Sequence, residues 1–219
     1  MGRSKSLDAL AESLRSTFTQ AGPRQSRRMA LRVLSLPVPE FAMLIEAMKQ
    51  VRAKVTRCDV CQDLTESRRC GICSDADRDR GLLCVVENSH DVEAIEASRS
   101  YQGLYHVLHG SLDHRGGLRS EQGWRALPTL QDLWLRLGHD KSVQEVILAL
   151  DQDTAGELTT LYLTREIQKN FPNLRLARIG VGIPFGGEVV YSDPLTLKQA
   201  LQSRLELRAR EPEKEVIEL

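Results

Sequence analysis

Four of the chain's five cysteines lie between Arg57 and Ser74, in the stretch RCDVCQDLTESRRCGICS. Cys58 and Cys61 form one Cys-x-x-Cys pair and Cys70 and Cys73 a second, with eight residues between them. Thiolates are soft ligands, and two such turns folded together offer four of them in a tetrahedron, the shell that zinc takes in structural sites. A four-sulfur shell leaves no open position, so the metal would hold structure rather than perform chemistry. The spacer is too short and polar to form a core of its own, so a metal would replace that core and a small ribbon or knuckle is expected. Gly71 is the residue expected to supply a positive φ beside the second pair. The competing readings are a redox Cys-x-x-Cys motif and a pair of disulfides. Two adjacent pairs in a chain with no secretory leader weigh against both.

A second group is acidic. Glu87 follows the apolar run Leu82–Val86, and Asp151 and Asp153 follow the run Val146–Leu150. If both runs are strands of one parallel sheet, these carboxylates meet at its carboxyl edge, where oxygen ligands could hold magnesium. The bland reading is that they cap helices or face solvent; Asp91, four residues after Glu87, could join the carboxylate group or cap its helix. The order "apolar strand, Glu; apolar strand, Asp-x-Asp" resembles the Toprim domain of topoisomerases and primases. In that domain the Glu acts as general acid or base and the Asp pair holds magnesium. Asp151 to Gly156 (DQDTAG) is similar to the primase form of the motif.

The third feature is charge. The chain has 30 basic and 30 acidic residues and no net charge. Between Ser13 and Cys58, however, nine basic residues face only Glu40 and Glu46, a formal +7 balanced by −7 elsewhere. A basic segment in a neutral protein points to a polyanion partner at that end, the alternative being a solvated helical face.

These residues need elements to position them. Leu7, Leu10, Ala11, Leu14 and Phe18 recur at helical spacing. A break at Ala21-Gly22-Pro23 precedes a basic helix over about Arg24–Leu36, and a third helix runs over about Glu40–Val55. Two short helices joined by a Gly-Pro turn with arginines just beyond have the form of a helix-hairpin-helix DNA-binding element. After the cysteines the pattern becomes strand, helix, strand. Strands are expected at Leu82–Val86, Leu104–Leu108, Val146–Leu150 and Leu174–Ile179, and helices at Asp91–Ser100, after Thr129, and at Thr154–Asn170. Thr129 with Asp132, and Thr196 with Gln199, read as capping boxes. This alternation predicts an α/β fold with a parallel sheet covered on both faces. A long polar loop is expected from His109 to Trp124, a strand at Glu188–Tyr191, a last helix to about Leu207 and a charged tail. The domains expected are 1–55 (helix-hairpin-helix module), 56–77 (four-cysteine zinc site), 78–179 (Toprim-type sheet) and 180–219 (Gly-rich motif, strand-helix extension and tail).

Several functions are excluded. Gly180–Gly187 does not have the G-x-G-x-x-G spacing, and no P-loop motif occurs. The four tyrosines all fall in elements read as core or strand, which argues against topoisomerase action. No apolar run approaches a membrane span and the N-terminus lacks a signal's hydrophobic core, so a cytoplasmic protein is expected. Cys84 reads as a buried small hydrophobe and His106 as a satisfied core residue.

The order of helix-hairpin-helix, four-cysteine site, Toprim domain and Gly-rich C-terminal motif resembles the RecR family of recombination mediators across nearly the whole chain. The most specific pieces are CxxC-x8-CxxC, Tyr101–Leu112 (YQGLYHVLHGSL) and Ile183–Leu197 (IPFGGEVVYSDPLTL). The resemblance implies a non-enzyme, associated with the nucleoid, that assembles through its N- and C-terminal regions into a tetrameric ring around DNA. With RecO and RecF it would help load the RecA recombinase onto gapped, protein-coated DNA. It carries the family's DNA-contacting residues onto Arg24 and Arg28, with Arg27 beside them. Two departures stand out: Thr19-Gln20-Ala21-Gly22 replaces the family's Pro-Gly-Ile-Gly turn, and the Asp-x-Asp pair lost by most members is kept. The second keeps open a magnesium-dependent nuclease or primase-like activity through Glu87, Asp151 and Asp153. A zinc-containing interaction module with no DNA role would leave the basic segment unexplained.

Overall fold

A computed structural model describes residues 4–18, 20–112, 127–180 and 182–204. Most of the expected polar loop, the residues after 204 and Thr19 of the altered turn lie outside them. The chain divides into two compact units. One comprises the N-terminal helices through Arg57 together with Leu64–Arg68; the other comprises Cys58–Asp63 and everything from Arg69 onward.

In the helical unit, α1 (Lys5–Thr17) packs against α2 (Pro23–Leu34), and α3 (Val38–Lys54) follows. Pro23 occupies the first turn of α2 after Gly22, where a missing N–H costs nothing and the fixed φ favours helix. Ser26 and Ala30, one turn apart, are the buried face of α2, and Ser26 Oγ donates to the Ala21 and Gly22 carbonyls. The prolines at 37 and 39 open α3 rather than merely ending α2. A two-stranded antiparallel ribbon, β1 (Thr56–Arg57) and β2 (Leu64–Thr65), completes this unit.

The sheet unit has the expected α/β architecture. Its strands β3 (Asp79–Val86), β4 (Gly103–Val107), β5 (Glu145–Ala149) and β6 (Arg175–Arg178) lie in the order β4-β3-β5-β6, all parallel. Helices α4 (Gly71–Ser74), α5 (Ser89–Ser98), α6 (Leu130–His139) and α7 (Thr154–Asn170) belong to this unit, as does α8 (Pro194–Gln202). Alternation along β3 sends Leu83 and Val85 into one core, with Leu133 and Leu137 of α6 and Tyr162, Leu163 and Ile167 of α7. Cys84 and Val86 enter a second core with Tyr105, Val107 and Val92 of α5. Burial on both faces is why these strands read as unbroken apolar runs.

Four local expectations are corrected. Thr129 does not cap α6; its hydroxyl donates to the Val107 carbonyl at 2.6 Å. Because β4 is an edge strand, its outward carbonyls have no neighbouring strand, and Thr129 supplies one missing donor. Residues 189–191 form a 3-10 turn, not a strand; their hydrogen bonds close locally, as from Tyr191 N to Glu188 O, and no strand pairs with them among the described residues. Helix α8 is capped by Asp193, whose carboxylate accepts from Leu195 N and Thr196 N, rather than by Thr196. A carboxylate ahead of Pro194 sits where the free N–H groups begin. Finally, Gly71 simply starts α4, and the left-handed residue of the cysteine segment is Gln62, at φ 65°. No helix among the described residues is long and apolar enough to cross a membrane.

Candidate metal centre and nucleic-acid interface

The sequence spacing of the cysteines becomes a cluster in space. Cys58, Cys61, Cys70 and Cys73 are all buried, and their sulfurs lie within 4.8 Å of one another. No disulfide links them; Cys61 Sγ and Cys70 Sγ are 3.5 Å apart, far beyond the roughly 2.05 Å of an S–S bond. In a tetrahedron with metal–sulfur bonds of about 2.3 Å the sulfurs stand about 3.8 Å apart, so this set fits zinc. Backbone N–H groups already point at sulfur, Cys70 N at Cys58 Sγ (3.3 Å) and Cys73 N at Cys70 Sγ (3.4 Å). The thiols compete for protons: hydrogen bonds from Cys61 and Cys73 hold the Cys70 thiol far down, while its bond to Cys70 pushes Cys61 far up. A divalent cation would offset the repulsion that opposes further thiolates here.

Each turn is built differently. Cys58–Gln62 is closed by Gln62 N to Cys58 O, and the chain leaves it through the left-handed Gln62. This turn covers the open edge of β4: Val107 N donates to Cys61 O at 2.8 Å, and His109 Nε2 lies 2.6 Å from Gln62 O. The second turn is α4, with Cys70 as its N-cap. Ile72 packs against the cysteines and against both apolar cores. One buried group here is not signalled by any motif: Arg136 of α6, whose guanidinium donates to Tyr105 O at 2.6 Å and Val60 O at 3.4 Å.

The acidic residues share an edge without forming a comparable cluster. β3 and β5 are neighbours, so Glu87 and the pair Asp151/Asp153 stand at adjacent strand ends. Asp153 caps α7, accepting from Gly156 N at 2.7 Å, and Asp91 accepts from Asn88 N at 2.7 Å. Gly156 is required there: a Cβ would stand 2.0 Å from Asp151 O. Glu87 is half-buried and its Oε2 has no hydrogen-bond partner. Burial raises its pKa against a lowering bond from Ser111, and the charges of Asp151, Asp153 and Asp91 add to the rise. Among the described residues, only the four cysteines form a group of three or more such ligands within 4.8 Å.

In the helical unit, Arg24, Arg27 and Arg28 are exposed on α2. Arg27 is tied to Asp8 of α1 at 2.7 Å, whereas Arg24 and Arg28 form no ion pair among the described residues. Arg24 and Arg28 line an open groove of about 930 Å³ with Arg32. Arg32 was not singled out from sequence, although the four-residue spacing 24, 28, 32 places all three on one helix face. The same unit carries an apolar groove of about 430 Å³, lined by Leu7, Leu10, Val33, Leu34, Val38 and Phe41 among others.

Comparison with known proteins brings these sites under one heading. Residues 81–179 match the Toprim domain family, and residues 182–204 match the family described as RecR, C-terminal. The chain is 39% identical over 186 residues to recombination protein RecR of Rhodococcus jostii, and 40% identical over 186 residues to that of Mycolicibacterium smegmatis. The RecR protein of Saccharopolyspora erythraea is 38% identical over 183 residues. Each alignment covers 84% of this chain and 89% of its relative.

Proposed function

The chain belongs to the RecR family of recombination proteins, and from that premise we propose that it acts as a non-catalytic mediator of recombinational DNA repair that grips DNA by charge alone. The observation carrying this reading is the arginine face of α2. Arg24 and Arg28 are exposed, one turn apart and without a competing carboxylate among the described residues, while Arg32 extends the row. Guanidinium groups take up phosphate oxygens in fork geometry, and the unpaired N–H groups of the first turn of α2 add partial positive charge. None of this reads bases, so binding is indifferent to sequence and weakens steeply with salt.

The four cysteines hold a structural zinc. Their shell is complete without solvent, and the first of the turns they fix covers the edge of β4. Exposed apolar side chains on α3 (Val38 at 82%, Met43 at 72%, Met48 at 55%) and in the C-terminal segment (Phe185, Val189, Tyr191, Leu195) support self-association into a ring through the two ends of the chain. RecO- and RecF-type proteins, and a recombinase loaded onto gapped DNA, are the partners that family membership suggests. The domain division follows the same logic: helical module, cysteine site, Toprim sheet and C-terminal extension. A second reading, magnesium at the acidic edge, rests on the unpartnered Glu87 Oε2 beside Asp151 and Asp153.

The test is a salt titration of binding to gapped and single-stranded DNA, alongside the mass in solution. Arg24→Ala/Arg28→Ala should weaken binding, flatten the log–log salt slope by about 1 to 2, and leave thermal stability unchanged. Equal affinity and slope in both proteins would remove these arginines from the interface. Adding magnesium should leave the DNA uncut; cutting that disappears in Asp151→Asn would replace the mediator reading with the nuclease one.

A further inference from the structure

Arg136 is an anomaly in the sheet unit. Only 9% of it is exposed, yet no carboxylate lies within ion-pair distance among the described residues. One nitrogen serves Tyr105 O and Val60 O, while Nε and the second terminal nitrogen find no partner. A guanidinium cannot shed its proton in a protein, and a buried charge without a countercharge costs several kcal/mol. Hydrogen bonds to two neutral carbonyls do not supply a countercharge. Something else must make this residue tolerable in α6.

The neighbourhood identifies it. Val60 lies inside the first Cys-x-x-Cys turn, so the guanidinium reaches the backbone of the metal-binding loop itself. Four thiolates around a divalent ion carry a formal charge of −2, and here all four sulfurs are buried. That shell has the same difficulty as Arg136 with the opposite sign. We propose that Arg136 is the buried countercharge of the four-cysteine metal shell, so that metal retention and the burial of Arg136 depend on each other. Burial pulls the Arg136 pKa down, and the sulfurs of Cys73, Cys61 and Cys58, with Asp140, act against that pull. Arg136 is thus a positioning residue: it bonds the loop backbone, is no ligand, and would act on a bound metal through the field it creates. The coupling also ties the cysteine turn to β4, because the same guanidinium bonds the Tyr105 carbonyl on the strand's open edge.

This inference rests on the zinc reading, and the experiment separates the two. Bound zinc is first counted in the wild-type protein; less than one tightly held ion per chain would overturn both. Release of zinc to a chromogenic chelator is then timed for the wild type, Arg136→Lys and Arg136→Met. Arg136→Met should release zinc at least about tenfold faster, and Arg136→Lys, which keeps the charge, within about threefold of wild type. Thermal unfolding with and without zinc adds a readout that a merely structural arginine would not move. Arg136→Met should lower Tm in the loaded protein but not in the stripped protein, where the unpaired charge is a liability. An equal drop in both forms, or wild-type release from Arg136→Met, overturns the coupling. If Arg136→Met does not fold, Arg136→Lys decides: release tenfold faster than wild type would show that charge is not what matters.

Discussion

The helical unit and the sheet unit spend similar residues in opposite ways. The sheet unit puts Leu83, Val85, Leu133, Val146, Leu163 and Ile167 at or near zero exposure, in cores on both faces of one sheet. In the helical unit the buried residues are small, Ala21, Ser26 and Ala30, while Met43, Met48 and Val51 of α3 stand more than half exposed. A sheet has two faces that helices of the same chain can cover, so its apolar residues are satisfied internally. The exposed apolar side chains of α3 are left uncovered among the described residues, which is the kind of surface that association would bury. The sheet unit is therefore a self-contained platform, whereas the helical unit leaves arginines on α2 and apolar side chains on α3 exposed, the surfaces on which the proposed contacts rest.

That contrast can be broken in three places. The largest effect is expected at the cysteines, on the proposal that a metal there stands in for core. Cys73→Ser should lose zinc and cost the sheet unit about 4 kcal/mol or more, measured by urea unfolding with metal analysis. A fully stable zinc-free variant would mean that the shell is not structural. The second test compares matched truncations. Leu163→Ala in α7 should cost about 2–5 kcal/mol, whereas Met48→Ala on α3 should cost less than about 0.5 kcal/mol in the monomer and instead weaken self-association. Similar losses in both would erase the distinction between the units.

The third test, whose effect near pH 7 is the smallest because it appears only on acidification, is a pH dependence confined to the sheet unit. Burial lowers the pKa of His106 to about 3, with the charge of Arg136 acting in the same direction. Unfolded, the imidazole titrates near its ordinary value of about 6.5. Between those values the unfolded chain binds a proton that the folded chain refuses. The stability contributed by neutral His106 is thus present above about pH 6.5 and is lost as pH falls toward 3. The slope should reach about 1.4 kcal/mol per pH unit and become shallower in His106→Gln, measured by urea unfolding at constant zinc. Identical profiles would mean that His106 is accessible.

Much of the platform was legible beforehand. The runs at 82–86 and 146–150 announced buried strands, and Thr154–Asn170 is a helix with the expected ends. The paired cysteines announced their own cluster, because ligand spacing is a local property of the chain. Capping was read less well. Thr129 and Thr196 both had cap-like neighbours in sequence, but Thr129 is claimed by the unpaired carbonyl of Val107, and Asp193 is the stronger acceptor for α8. The segment 188–191 has strand-like composition, but a strand also needs a neighbour to complete its hydrogen bonds, and sequence does not say where the neighbours are.

What the chain determined by itself was whatever depends on spacing: ligand pairs with two residues between them, apolar periods of a helix or a buried strand, and a basic block beside a Gly-Pro turn. What only tertiary structure decided was which backbone edge lay open and which side chain was drawn to it. Thr129, Arg136 and the turn after Cys58 all converge on the edge of β4 that no strand pairs, from distant points in the sequence. The reason is that periodicity fixes a residue's face, while burial and hydrogen-bond satisfaction depend on partners brought close only when the sheet forms.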